Sequence, residues 1–296
     1  MEIAVIIPVF NRRAQLQHAV GSVLSQSVGA AEIIVVDDGS TQDLSEIREW
    51  CVAKGCQWVV RENNGGPGLS RNEGVEHSKS RWIAFLDSDD VWLTQKLEKQ
   101  VEWHLSNPSS RISHVEEQWV RDGKKVSKSS HWRAKGGDLF EASCQRCSIG
   151  PSCVMIRRDL WDASGGFQPR FKVCEDFELW LRITSHESVG LVSGEGLVEK
   201  RGGHTDQLSL RVAAMDRYRI VALLRMLRRS DLTAIQEEIV VSAIRRKARI
   251  VSEGAFSRGL KRRSDLYRGL IERDLTGSSD GLNPVEAELW TELEAS

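Results

Sequence analysis

The sequence lacks the features that identify a membrane-spanning or exported chain. No apolar run comes near the roughly 20 residues of a membrane span, and the run at residues 3–10 lacks the basic region and cleavage site of a signal peptide. We therefore expect a cytoplasmic protein. Its six cysteines should then be reduced thiols, and the single C-x-x-C pair, Cys144 and Cys147, lacks the second pair that a zinc site needs.

An excess of one sign of charge is also missing. The 41 Lys or Arg and 42 Asp or Glu residues give a net charge of −1, which argues neither for nor against a nucleic-acid partner. The charge is uneven, because residues 201–273 contain 17 basic and 8 acidic residues whereas residues 274–296 contain six acidic and no basic ones. The composition, 40% hydrophobic and 28% charged over 296 residues, excludes a disordered or collagen-like chain.

Short apolar runs alternate with helical patterns over the first 90 residues. The runs are rich in β-branched residues and predict strands over residues 3–9, 32–37, 57–61 and 81–86. Apolar residues spaced by three and four predict helices over residues 13–26, 44–54 and 70–78. Strands separated by helices imply an α/β fold with a mostly parallel sheet flanked by helices.

The pattern changes after residue 110. A hairpin over residues 112–132, a strand near 153–156, a helix from Asp176 and a strand near 189–198 are predicted. From about residue 207 the spacing predicts helices only. We therefore expect a catalytic domain over residues 1–206 and a helical C-terminal extension over residues 207–296.

The first strand is followed by a turn without glycine, Pro8-Val9-Phe10-Asn11. This excludes the G-x-G-x-x-G turn of dinucleotide-binding dehydrogenases, and the sequence contains no P-loop motif. A nucleotidyltransferase is also disfavoured, because such enzymes carry a glycine-rich basic loop at this point.

Acidic clusters follow the second and the fourth strand. They are Asp37-Asp38-Gly39-Ser40 and Asp87-Ser88-Asp89-Asp90. Ligands of open α/β sheets bind beyond the carboxyl ends of the strands, where both clusters should lie. The clusters could simply cap the following helices. Carboxylates crowded at one edge repel each other, however, and Mg²⁺ or Mn²⁺ shared with substrate phosphates would relieve this.

Four motifs resemble those of family 2 glycosyltransferases of bacterial polysaccharide synthesis. They occur in the order Ile6-Ile-Pro-Val-Phe-Asn11, Val35-Val-Asp-Asp-Gly-Ser40, Leu69-Ser-Arg-Asn-Glu-Gly74 and Phe85-Leu-Asp-Ser-Asp-Asp-Val-Trp92. The resemblance covers about residues 1–205. It implies a GT-A (Rossmann-like) fold and an inverting transferase that uses a nucleotide-diphosphate sugar, a UDP-sugar being expected, with Mn²⁺ or Mg²⁺.

The resemblance also assigns roles to residues of the donor site. Asp38 matches the position that binds the nucleobase, and Arg71 matches an arginine near the base or phosphates. The other expected nucleotide-binding residues are Pro8, Val9, Asn11, Asp87 and Asp89. The expected metal ligands are Asp89, Asp90 and His204.

The segment Cys174-Glu175-Asp176-Phe177 resembles the family's E-D motif at the start of a helix. By this resemblance Asp176 is the general base that takes the proton of the acceptor hydroxyl, and Glu175 assists it. An acidic pair could instead serve only the helix dipole. A non-catalytic nucleotide-sugar-binding protein would need no such base and remains the alternative.

The acceptor is expected to be a saccharide or a lipid-linked saccharide. The basic helical tail has three interpretations, namely packing on the catalytic domain, homo-oligomer formation and peripheral contact with the inner face of the membrane. Nucleic-acid binding is not expected, because the tail matches no known module.

Overall fold

The computed structural model describes residues 1–121, 123–126, 133–194, 196–201, 214–275 and 283–294. Within them the strands are β1 (Ile3–Val9), β2 (Glu32–Asp37), β3 (Gln57–Val60), β4 (Trp82–Phe85), β5 (Val91–Trp92), β6 (Ile112–Val115), β7 (Glu117–Arg121), β8 (Lys124–Val126), β9 (Val154–Arg157), β10 (Gly190–Val192) and β11 (Val198–Arg201). The helices are α1 (Arg13–Leu24), α2 (Ser45–Ala53), α3 (Pro67–Glu76), α4 (Lys96–Ser106), α5 (Phe140–Gln145), α6 (Arg158–Ser164), α7 (Glu175–Thr184), α8 (Asp216–Leu227), α9 (Ala234–Ser257), α10 (Lys261–Glu272) and α11 (Asn283–Glu294). No helix among these residues is long and apolar enough to cross a membrane.

The chain forms two compact units. The first contains residues 1–138, 149–176 and 187–207, and the second contains residues 139–148, 177–186 and 208–296. The predicted boundary at residue 206 lies outside the described residues, so the two-domain division stays a prediction.

Two sheets form the framework of the first unit. The main sheet has the order β10-β6-β9-β4-β1-β2-β3, in which only β9 runs antiparallel to its neighbours. The smaller sheet has the order β5-β11-β7-β8. This confirms the predicted, mostly parallel sheet. The single hairpin predicted over residues 112–132 is wrong in part, because β6 joins the main sheet while β7 and β8 pair in the smaller one.

The core of the first unit lies around β1, of which all seven residues are buried. Helix α3 packs against β1 and β2. The contact is close, because a Cβ atom at Gly74 would lie 2.3 Å from Cγ2 of Ile6. Gly74 therefore lets α3 approach the sheet, and α3 carries Arg71 to the carboxyl ends of the strands.

The described elements of the second unit are all helical, as predicted for the C-terminal region. Helix α9 begins with a capping box, in which Thr233 and Gln236 bond each other's backbone N–H groups. Buried charges are paired across the unit. Lys247 of α9 donates to Asp216 of α8 (3.2 Å) and to the carbonyl of Gln145 (2.8 Å).

Candidate active site

Asn11 connects the end of β1 to the loop after β2. Its φ of 54° lies in the left-handed region, which Asn tolerates better than most residues. Its Oδ1 accepts hydrogen bonds from the backbone N–H groups of Thr41 and Gln42, both at 2.9 Å. Pro8 and Val9 precede it in the buried strand. The three residues lie at the edge of the sheet where the base is expected, and their contact with it stays a prediction.

Asp38 organises the glycine-rich loop before α3. Its two carboxylate oxygens accept the backbone N–H groups of Gly65 (3.0 Å) and Gly66 (2.7 Å). Nε of Arg61 lies 2.9 Å from the same carboxylate. Asp38 therefore holds this loop against the end of β2. The nucleobase contact predicted for Asp38 is not tested by these interactions.

Arg71 joins three segments that are far apart in the sequence. Its Nη2 lies 2.6 Å from Oδ1 of Asp87, after β4, and its Nη1 lies 2.9 Å from Oε1 of Glu175, at the start of α7. The side chain is only 3% exposed and stacks against the ring of Phe167. One buried guanidinium therefore links the acidic cluster after β4 to the E-D motif.

The pKa values of the two carboxylates that Arg71 bridges move in opposite directions. For Asp87, burial raises the pKa, but the charges of Arg71, Lys200 and Arg12 outweigh it and hold the pKa below its ordinary value. For Glu175, burial and the neighbouring charge of Asp176 outweigh Arg71 and raise the pKa to about 7. The site therefore favours the anionic form of Asp87, whereas Glu175 titrates near neutral pH.

Asp89 contacts the turn that follows β1, through Arg12. Its Oδ2 lies 2.8 Å from Nη1 of Arg12, and the side chain is 13% exposed. Burial raises the pKa of Asp89, and the charge of Asp87 adds to that rise. The charges of Arg12 and Lys200 lower the pKa of Asp89 but do not outweigh these effects, so a further cation nearby would stabilise the ionised form.

Asp90 points into the protein. Its Oδ2 accepts a hydrogen bond from Ser152 Oγ (2.7 Å), and its Oδ1 accepts the backbone N–H of Arg201 (3.2 Å). It is 2% exposed, and burial raises its pKa to about 8. These contacts favour a role for Asp90 in joining the end of β4 to β11, and its predicted role as a metal ligand stays a prediction.

A divalent cation fits this donor set with few protein ligands. No group of three or more His, Cys, Asp or Glu side chains that could hold a metal occurs within the described ranges. Mg²⁺-type sites, however, often use one or two carboxylates and complete their coordination with substrate phosphates and water. The undercompensated carboxylate of Asp89 suits that arrangement. His204, the third predicted ligand, lies outside the described residues.

The E-D motif begins α7 under backbone strain. Cys174, which precedes it, has a φ of 59°, and it is 4% exposed. Glu175 then packs inward, whereas Asp176 is partly exposed in the first turn of the helix. Strained residues of this kind concentrate at functional sites. The sequence showed the acids, but nothing in it indicated the strain at Cys174.

Two further residues shape the site through contacts that the sequence did not predict. Ser152 accepts the backbone N–H of Asp87 (3.1 Å) while it donates to Asp90, so it fixes the turn between them. Gly68 lies so close to Glu175 that a Cβ atom there would be 3.0 Å from Cγ of the glutamate. Gly68 looked like one of several loop glycines, and only the tertiary contact distinguishes it.

Comparisons with known proteins identify the family. Residues 4–162 match the family described as "Glycosyl transferase family 2". An uncharacterized glycosyltransferase of Rickettsia bellii is 34% identical over 205 residues, which are 69% of this chain and only 29% of that protein. The putative teichuronic acid biosynthesis glycosyltransferase TuaG of Bacillus subtilis is 31% identical over 202 residues, covering 67% of this chain and 78% of TuaG.

A solved structure extends the similarity in fold. The crystal structure of S. aureus TarS 1-349 in complex with UDP-GlcNAc superposes with a TM-score of 0.72 at 19% identity, covering 90% of this chain and 78% of that one. The sheet order, the acidic strand ends and the sequence match point to one family. The chain belongs to glycosyl transferase family 2 and has the GT-A fold.

Proposed function

We propose that this protein transfers a sugar from a nucleotide-diphosphate donor, a UDP-sugar, to a hydroxyl group of a saccharide or lipid-linked saccharide, with inversion at the anomeric carbon. The observation that carries this proposal is the bridge through Arg71. It brings the acidic cluster that suits a donor and its cation next to the helix start that bears the expected base.

The donor side of the site is formed by the strand ends. Asp38 and Asn11 hold the two loops between which the base would lie. Asp89 would hold Mn²⁺ or Mg²⁺ together with the diphosphate of the donor. The cation, when bound, would neutralise the charge that develops on the leaving diphosphate.

The acceptor side is formed by the start of α7. Asp176 takes the proton from the acceptor hydroxyl as its oxygen forms a bond to the anomeric carbon. The bond between that carbon and the diphosphate oxygen breaks, and the nucleoside diphosphate leaves with the electron pair. Glu175 positions this end of the helix through Arg71, because its carboxylate is buried and bonded there.

Two similarities support the choice of substrates. The chain resembles TuaG, which is named for teichuronic acid biosynthesis, and it shares the fold of TarS, solved with UDP-GlcNAc. A bacterial surface polysaccharide is therefore our proposed product. We place the reaction in the cytoplasm, where nucleotide sugars are made, and a homo-oligomer stays a prediction.

The proposal is tested by thermal unfolding of the protein with UDP-, GDP-, dTDP- and CDP-sugars, each with and without Mn²⁺. A UDP-sugar at about 100 times its dissociation constant should stabilise the fold by about 2.7 kcal/mol, and Mn²⁺ should lower the concentration required. If no nucleotide sugar raises the unfolding temperature, the protein has no donor site and the proposal fails.

A further inference from the structure

The second unit has an exposed corner where α9 ends and α10 begins. We name it the α9–α10 corner and define it by six exposed residues, Arg249, Phe256, Arg258, Leu260, Lys261 and Arg262. Phe256 is 69% exposed and Leu260 is 42% exposed. Exposed apolar side chains that are grouped and bordered by cations are candidates for an interaction site.

The backbone brings the end of α9 and the start of α10 together, because the N–H of Leu260 donates to the carbonyl of Ala255 (3.0 Å). Helix α9 turns its apolar residues Val240, Ile244 and Val251 into the helical unit. Arg249 and Phe256 are seven residues apart, or two helical turns, and so lie on one outer face. The chain then reverses at Gly259, whose φ is 73°, and presents Leu260 directly afterwards.

The charge of the corner has one sign. Residues 245–262 contain seven Lys or Arg residues and a single acid, Glu253. Lys247 is buried and paired with Asp216, which leaves six exposed cations. This arrangement is typical of surfaces that contact anionic lipids.

We propose that the α9–α10 corner docks on the surface of an anionic phospholipid bilayer. Phe256 and Leu260 enter the interface between headgroups and acyl chains, while the surrounding cations bind lipid phosphates. A second copy of this chain is a poorer occupant, because a two-fold contact would place the four cations of the corner against the same four cations of the other copy. The inference goes beyond the proposed transfer reaction and does not depend on it.

The test is co-sedimentation of the full chain with vesicles of phosphatidylcholine, with or without about one third phosphatidylglycerol. We expect binding to the anionic vesicles only. Replacing Arg258, Lys261 and Arg262 together by Gln should lower the partition coefficient about a hundredfold, since each cation contributes about fivefold. Phe256→Ala should lower it about tenfold.

Two matched controls separate the corner from general effects of charge and hydrophobicity. Ile235→Ala removes an apolar side chain that is 71% exposed at the other end of α9. Arg48, Lys54 and Lys79, all exposed in the first unit, are replaced together by Gln. Both controls should bind vesicles like the unmodified protein.

Several results would overturn the docking. Equal binding to neutral and anionic vesicles, or equal losses in the corner variants and the controls, would exclude this surface. A dimer in light scattering that Phe256→Ala dissociates, with vesicle binding unchanged, would assign the corner to self-association instead. The rise in unfolding temperature that a UDP-sugar causes should be the same in all variants. This keeps the docking test separate from the test of the donor site.

Discussion

Replacing Arg71 by Lys should uncouple the acidic cluster from the E-D motif. The guanidinium makes two charge-assisted contacts, to Asp87 (2.6 Å) and to Glu175 (2.9 Å), and a lysine ammonium of similar reach can keep only one. A lost charge-assisted hydrogen bond costs about 1.5–3 kcal/mol. We therefore expect the free energy of unfolding to fall by about 2 kcal/mol, and turnover of a UDP-sugar to fall about tenfold or more.

The pH dependence distinguishes this effect from simple loss of stability. Arg71 lowers the pKa of Glu175, which is nevertheless about 7. Loss of the contact between residue 71 and Glu175 should therefore raise the pKa of Glu175 further. More Glu175 is then protonated at neutral pH, and the acid limb of the turnover–pH profile should move to higher pH.

The control for this experiment is Arg158→Lys. Among the described residues, the Arg158 side chain donates to neutral acceptors, the carbonyls of Ser78 and Ser80 and the hydroxyl of Ser78. It should lower stability without moving the acid limb. Our reasoning would be refuted if Arg71→Lys left that limb unchanged, or if Arg158→Lys shifted it equally.

Two further predictions concern the neighbours of this bridge. Gly68→Ala should displace Glu175 and lower stability by about 1–3 kcal/mol in urea unfolding, because the new methyl would lie 3.0 Å from Cγ of the glutamate. Gly21→Ala in α1, which meets no atom within 4 Å, is the matched control and should not destabilise; equal effects would contradict the close contact. For Asp90, the folded pKa of about 8 exceeds the ordinary value of 3.8, so the folded state binds the extra proton and this group's contribution to stability falls as pH rises. Asp90→Asn removes this pH dependence. The free energy of unfolding of the variant, relative to that of the unmodified protein, should therefore increase by about 1.4 kcal/mol per pH unit between about pH 5 and pH 7. A stability difference between the two proteins that stays constant across this range would show that Asp90 is ionised. Loss of the Mn²⁺ effect on donor binding in Asp90→Asn would show that Asp90 is a metal ligand.

The sequence predicted local structure well where the pattern of one segment was sufficient. The bounds of β1 and β2 agree with the expected strands, because each contains a run of apolar residues that is mostly buried. Helix α3 begins at Pro67, three residues before the expected start. Proline is suited to the first turn of a helix, and the glycines around it had indicated a loop.

Other features depend on partners that a local pattern does not contain. Residues 112–120 were expected to form one strand, yet they divide at Glu116 between two sheets. The side chain of Glu116 accepts a hydrogen bond from the backbone N–H of Ala134, and the carbonyl of Glu116 accepts one from the backbone N–H of Leu197. Distant segments therefore determine where the strand breaks. Similarly, the motif identified Arg71, but its partners lie 16 and 104 positions further along the chain.

The central claim is that Asp176, beside a donor held at the strand ends, removes the proton of the acceptor. It is tested most directly by measuring UDP release with a glycoside acceptor and, separately, donor binding by Asp176→Asn. The account predicts that turnover is lost while the UDP-sugar still raises the unfolding temperature, and that Asp162→Asn, an exposed acid on α6, behaves like the unmodified protein. Normal turnover by Asp176→Asn would contradict it.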